Sequence, residues 1–217
     1  MVREIFSLLL KDVKTEWRNK QAISSIALYL FSIILVLYYS LVRIDRMIWS
    51  GVLWLVLIFL AINTITTSFS RDIRQRHWYF YTLSHPLSVY FSKTIYNAAL
   101  LLFLDTLAVL LLGLFFNVPV VNWPLFMVTM LICTGGISLI LTFVSLISAK
   151  TGDQPALMTI LSTPLLFPIL MSGSRLCLIS IGLIQDPNYF KDLLSILAIN
   201  MITFALTVFL FPILWRD

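Results

Sequence analysis

Few residues in this sequence are equipped to do more than pack. They are one aspartate deep in an apolar run, two histidines, two cysteines and a short cluster of arginines among aromatics. Asp105 is the acidic residue well inside an apolar stretch. An aspartate at the centre of a membrane helix costs about 2.5–3.5 kcal/mol, so it must meet a partner, a wet cavity or a proton. Asn97 and Thr106 are polar residues on its own stretch, but only another helix can satisfy it fully. An interhelical hydrogen bond and a place on a substrate or proton path are the two readings that stand. No Lys, Arg or His in the other apolar runs pairs with it, so a proton relay is not expected. Asn63, followed by Thr64, Thr66, Thr67 and Ser68, reads as interhelical hydrogen bonding. His77 and His85 lie on either side of a turn with no supporting Cys, Glu or Met, which favours surface or interface histidines over metal or haem ligation. Cys133 and Cys177 form neither a metal-ligand spacing nor a disulfide framework. No directly bound metal or cofactor is expected.

The elements that must position these groups follow from composition. Of 217 residues, 60% are hydrophobic and 12% charged, and the mean hydropathy is +0.97. Soluble domains run at about 45–50% apolar and roughly 25% charged, so the chain reads as an all-α polytopic membrane protein. Apolar runs at 21–42, 48–69, 94–116, 123–148, 156–172 and 193–214 predict six transmembrane helices. Six spans leave no room for a soluble catalytic domain and put both termini on one side. The first twenty residues are no signal peptide, because charges are spread through them and no cleavage site follows a clean apolar core. Eleven of the 15 Lys and Arg fall on the side of the termini and four on the other. That asymmetry predicts cytoplasmic termini. The net charge of +5 is then mainly a topology signal, with membrane lipid as a secondary partner and nucleic acid as none.

Residues 1–20 place Val2, Ile5, Phe6, Leu9, Leu10, Val13 and Trp17 at spacings of three and four with charges largely between them. This predicts an amphipathic interfacial helix on the cytoplasmic leaflet, acting as an anchor or as a hinge or partner surface. The stretch 70–93 is the one substantial cytoplasmic loop. It opens on Arg71, Asp72, Arg74, Arg76 and His77, continues through Trp78, and turns at His85 and Pro86, where proline disfavours helix before it and can begin one at its own position. A short helix, a turn and a second helix running into the third span are expected. Such an element can lie on the bilayer or dock into a partner through its aromatic and arginine side chains.

From Asp153 to Asp186 the pattern breaks up. Pro164 and Pro168 interrupt the fifth span and should bend it. Gly173, Ser174 and Arg175 should end it, so residues 173–192 are expected to form an outer interfacial segment rather than part of a long tilted span. No P-loop, HExxH or GxSxG and no acidic cluster is present, so the chain is not expected to be an enzyme.

The ordered set of residues along the chain is similar to a known family. It comprises Lys11-Asp12 with Glu16 and Arg18, Phe69 with Arg71-Asp72, Tyr81-Thr82-Leu83 with Pro86, Ser92-Lys93, Tyr96-Asn97, Ala149-Lys150-Thr151-Gly152, and Leu157 to Ser162 with Pro164 and Pro168-Ile169-Leu170. From about residue 5 to the end the chain resembles the haem exporter protein B (CcmB) family, the permease subunits of an ABC-type transporter for cytochrome c maturation. It departs from the family at Met171-Ser172-Gly173-Ser174, where the family usually continues apolar. The resemblance implies an ABC-2-like export permease architecture in the cell inner membrane. It also implies a homodimer, an ATP-binding ABC subunit that hydrolyses ATP, and a haem-handling membrane protein and haem chaperone as partners. Haem would be cargo of the complex, not a cofactor of this subunit. With no nucleotide site of its own, the chain would use ATP through the cytoplasmic loop, for which residues 71–86 are the best candidate. An ABC export permease for a polysaccharide, lipid or drug, and a non-transporting assembly scaffold, are the competing readings.

Overall fold

A computed structural model of the protein describes residues 2–18, 20–41, 44–74, 86–117, 119–148 and 154–216, and these are helical apart from short connections. The helices are α1 (Val2–Arg18), α2 (Lys20–Ser40), α3 (Arg46–Arg74), α4 (Pro86–Phe116), α5 (Trp123–Ser148), α6 (Gln154–Ser180) and α7 (Phe190–Arg216). No strand occurs among the described residues. Among the described residues five helices, α3 to α7, are long and apolar enough to cross a membrane. The first expected span corresponds to α2, Lys20–Ser40.

Helix α5 occupies the middle of the bundle and packs against α3, α4, α6 and α7. Lipid is as apolar as leucine, so these helices associate through close van der Waals fit and hydrogen bonds rather than by fleeing water. Small residues set the fit. At Gly173 on α6 a Cβ would stand 2.6 Å from the Trp54 ring of α3 and 2.8 Å from Cys133 Sγ of α5, so three helices converge where a side chain is absent. Helix α2 sits at the edge against α3 and α4. It buries Ile26, Leu30 and Ile34 at four-residue spacing, while Leu28, Val36 and Tyr39 face outward.

The expected end of the fifth span at Gly173-Ser174-Arg175 is not there. Helix α6 runs through it to Ser180, with Leu176 and Cys177 buried in the core, so the part of the expected outer segment 173–192 before Ile181 belongs to the span. The stop signal lies nine residues later, at Gly182. Its φ is +78°, Gly182 N–H donates to Ile179 O at 3.0 Å, and Leu183 N–H donates to Leu178 O at 3.1 Å. These are the paired bonds of a Schellman cap, which a left-handed glycine permits. Glycine thus plays two roles in one helix, close packing at 173 and termination at 182. Pro164 and Pro168 lie inside α6 without ending it.

The expected loop 70–93 is also shorter. Helix α3 continues to Arg74 and α4 begins at Pro86, so Ser92 and Lys93 are two turns into a helix. At the opposite end, Asn117 caps α4 with φ +60°, and Asn122 Oδ1 accepts from Leu125 N–H at 3.2 Å to start α5. Val121 N–H and Asn122 N–H both donate to Ser180 O, which joins the α4–α5 connection to the end of α6.

Candidate functional site

Helix α1 is not merely laid on a surface. It packs along the first turns of α4, and the contact is polar at its centre. Lys93 Nζ stands 3.1 Å from Asp12 Oδ2, with both side chains below a tenth exposed. One turn nearer the start of α4, Ser88 Oγ donates to Glu4 Oε2 at 2.9 Å. The opposite face of α1 carries Phe6, Leu10 and Val13, all exposed. The amphipathic pattern is therefore split: Phe6, Leu10 and Val13 face outward, Asp12 turns inward, and Glu4, though exposed, reaches Ser88 at the edge. Neither Asp12 nor Lys93 stands out by local spacing, so periodicity could not find the pair. The signal available was that each sat in a motif shared with the family.

From this junction a seam of hydrogen bonds runs along the α4–α5 interface. Tyr90 Oη donates to Leu139 O at 3.2 Å, Ser138 Oγ donates to Thr94 O at 3.0 Å, and Asn97 Nδ2 donates to Thr142 Oγ1 at 2.9 Å. At the far end Thr134 Oγ1 donates to Asp105 Oδ2 at 2.5 Å. Thr134, Ser138 and Thr142 recur every four residues on one face of α5, while Tyr90, Thr94, Asn97 and Asp105 line the facing side of α4. A further bond runs from Asn200 Nδ2 of α7 to Ile132 O of α5 at 3.1 Å, with the Asn200 carbonyl against the bare Cα of Gly136. Asp105 thus has a partner on a neighbouring helix. Thr106 turns away, donating to Phe103 O on its own helix and remaining exposed.

The remaining expected site residues are placed as follows. Arg71, Asp72 and Arg74 end α3, and Pro86 begins α4. Arg76, His77, Trp78 and His85 lie outside the described residues. Asn63 is half-buried on α3 and has a bonding partner. At the opposite end of the bundle an unexpected clamp holds α6 to α7: Arg175 Nη2 lies 2.9 Å from Asp186 Oδ2, and its Nε lies 3.4 Å from Asp192 Oδ2. Cys133 and Cys177 are both free and buried. Among the described residues no three His, Cys, Asp or Glu side chains come together as a metal site.

A family model described as CcmB protein matches residues 3–216. The chain belongs to the CcmB family. That membership agrees with the resemblance carried by its residues, and it makes this CcmB-family chain a multi-pass membrane protein of the ABC permease type that serves haem export in cytochrome c maturation. No curated protein and no solved structure matches it.

Proposed function

We propose that this chain is the inner-membrane permease subunit of an export complex that takes conformational work from ATP hydrolysed on a separate subunit. It uses that work to export haem, or to release a haem-loaded chaperone, on the outer face. Family membership over residues 3–216 is the observation that carries the reading. In this scheme α2 is the first of six spans and both termini are cytoplasmic, in keeping with the excess of Lys and Arg on that side. The ATPase docks on the stretch that joins α3 to α4, through Arg74, Arg76, His77, Trp78 and His85, with Arg71, Asp72 and Pro86 at its edges. Helix runs on the α3 side to Arg74 and on the α4 side from Pro86, so a push on this stretch is delivered to two long rods that cross the bundle. Rigid-body rocking of such rods is an ordinary way to convert a local displacement into a change at a distant face. Pro164 and Pro168 supply a bend in α6, since each removes an amide from the helix ladder. The complex also includes a second copy of this chain, a haem-handling membrane protein and the haem chaperone, and the chain itself catalyses nothing.

The test is loss of the chain together with its purification. Deleting it should abolish c-type cytochromes while b-type cytochromes persist. Affinity purification in mild detergent should bring down a subunit that hydrolyses ATP. Intact c-type cytochromes in the deletion strain would point to another cargo, and a preparation without ATPase activity would point to a scaffold.

A further inference from the structure

We infer that Asp12 and Lys93 are positioning residues which make α1 and the first turns of α4 one lever, so that α1 takes part in transmitting motion into the membrane. The inference rests on the coupling role proposed above and adds a second element to it. A helix that only anchors a protein to the bilayer surface keeps its charges in water. Asp12 instead turns inward and is 5% exposed, and Lys93, two turns into a membrane helix, is 2% exposed. A buried ion pair is poor evidence for stability, because well-packed apolar residues of similar size often do as well or better. What the pair supplies is geometry: it ties a buried charge on α1 to one position on α4. The bond from Ser88 to Glu4 fixes a second point two turns along α1. Two fixed points on each helix remove both sliding and rotation between them. The second point lies in the first turn of α4, directly after the stretch assigned to the ATPase, so a displacement there moves α1 as well. The outward Phe6, Leu10 and Val13 would then carry that displacement through the headgroup layer.

The experiment uses the full complex in membranes and reads three quantities: chain abundance, ATPase rate and c-type cytochrome content. Asp12→Asn and Lys93→Met should each lower cytochrome content about tenfold, within the usual range of coupling between sites, at near-normal abundance and ATPase rate. The exchanged pair Asp12→Lys with Lys93→Asp should restore most of the loss. Singles that match wild type, or an exchanged pair no better than the singles at equal abundance, would overturn the inference. If the single variants do not accumulate, a Glu4→Cys, Ser88→Cys protein decides it. Oxidised to a disulfide, it should retain wild-type cytochrome content, because the two helices already move together, whereas loss on oxidation that reductant reverses would show that they must separate. A wild-type chain that fails to restore cytochromes to the deletion strain overturns the coupling role and this inference with it. A wild-type chain that restores them beside a failed exchange or a failed cross-link overturns the inference alone.

Discussion

Thr134 donates its hydroxyl hydrogen to the carboxyl of Asp105 across the α4–α5 interface, and this is what lets an acidic side chain lie buried in the bundle. Asn at 105 can accept the same bond, so Asp105→Asn should leave assembly and function near wild type. Asp105→Leu deletes the acceptor and Thr134→Val the donor, and a double-mutant cycle on thermal unfolding in detergent should return a coupling of about 0.6–1.7 kcal/mol. Of the two, Thr134→Val should cost more. A threonine left alone can bond the carbonyl four residues back, whereas a carboxyl left alone stays buried without its donor.

Gly173 and Gly135 make a matched comparison. A Cβ at 173 collides with Trp54 and Cys133, while one at 135 meets nothing within 4 Å. Gly173→Ala should destabilise by about 1–3 kcal/mol, the usual range for an overpacked core, and Gly135→Ala should not. Trimming the obstacle with Trp54→Phe should recover part of the loss in the double variant, measured as the shift in unfolding temperature.

Gly182 has room for a side chain, with Val121 at 3.6 Å, but not the backbone for one, since its φ is +78°. Gly182→Ala should therefore cost about 1–2 kcal/mol from the left-handed conformation alone. Gly182→Asn should cost less, because asparagine tolerates that region.

Charge reversal at Arg74 and Arg76 should uncouple the complex: ATPase activity persists, the chain inserts normally, and c-type cytochromes fall within the 5–150-fold span typical of coupling between sites. Normal maturation in the double variant would remove the loop from the coupling path.

The Arg175 clamp should matter little to stability. Arg175 is more than half exposed, and exposed ion pairs contribute about 0–1 kcal/mol. Arg175→Gln should shift the unfolding temperature only slightly, and less still at high salt.

Apolar run length made five long helices legible, and α5 begins at Trp123, where its apolar run begins. The end of α6 is not legible at Gly173 because glycine serves both as a helix stop and as a packing surface, and only the neighbours of Gly173 decide which. The need for an interhelical partner for Asp105 followed from the cost of burying a carboxylate, but Thr134 as that partner depended on how α4 and α5 face each other. The ion pair of Asp12 and Lys93 was hidden for a related reason. Positive charge near a span end serves topology by default, and nothing local marks a lysine that has turned inward to meet a helix from the far end of the chain.

The bond between Glu4 and Ser88 spans 84 residues, and that separation sets an order on biogenesis. Helix α1 leaves the ribosome before α4, so Asp12 and Glu4 are made before Lys93 and Ser88 exist to meet them. At about 5–20 residues per second the wait is on the order of ten seconds. During that interval Asp12 and Glu4 must rest in headgroup water while Phe6, Leu10 and Val13 hold the helix at the membrane. Docking of α1 into the bundle therefore waits for α4 to arrive and meet those carboxylates.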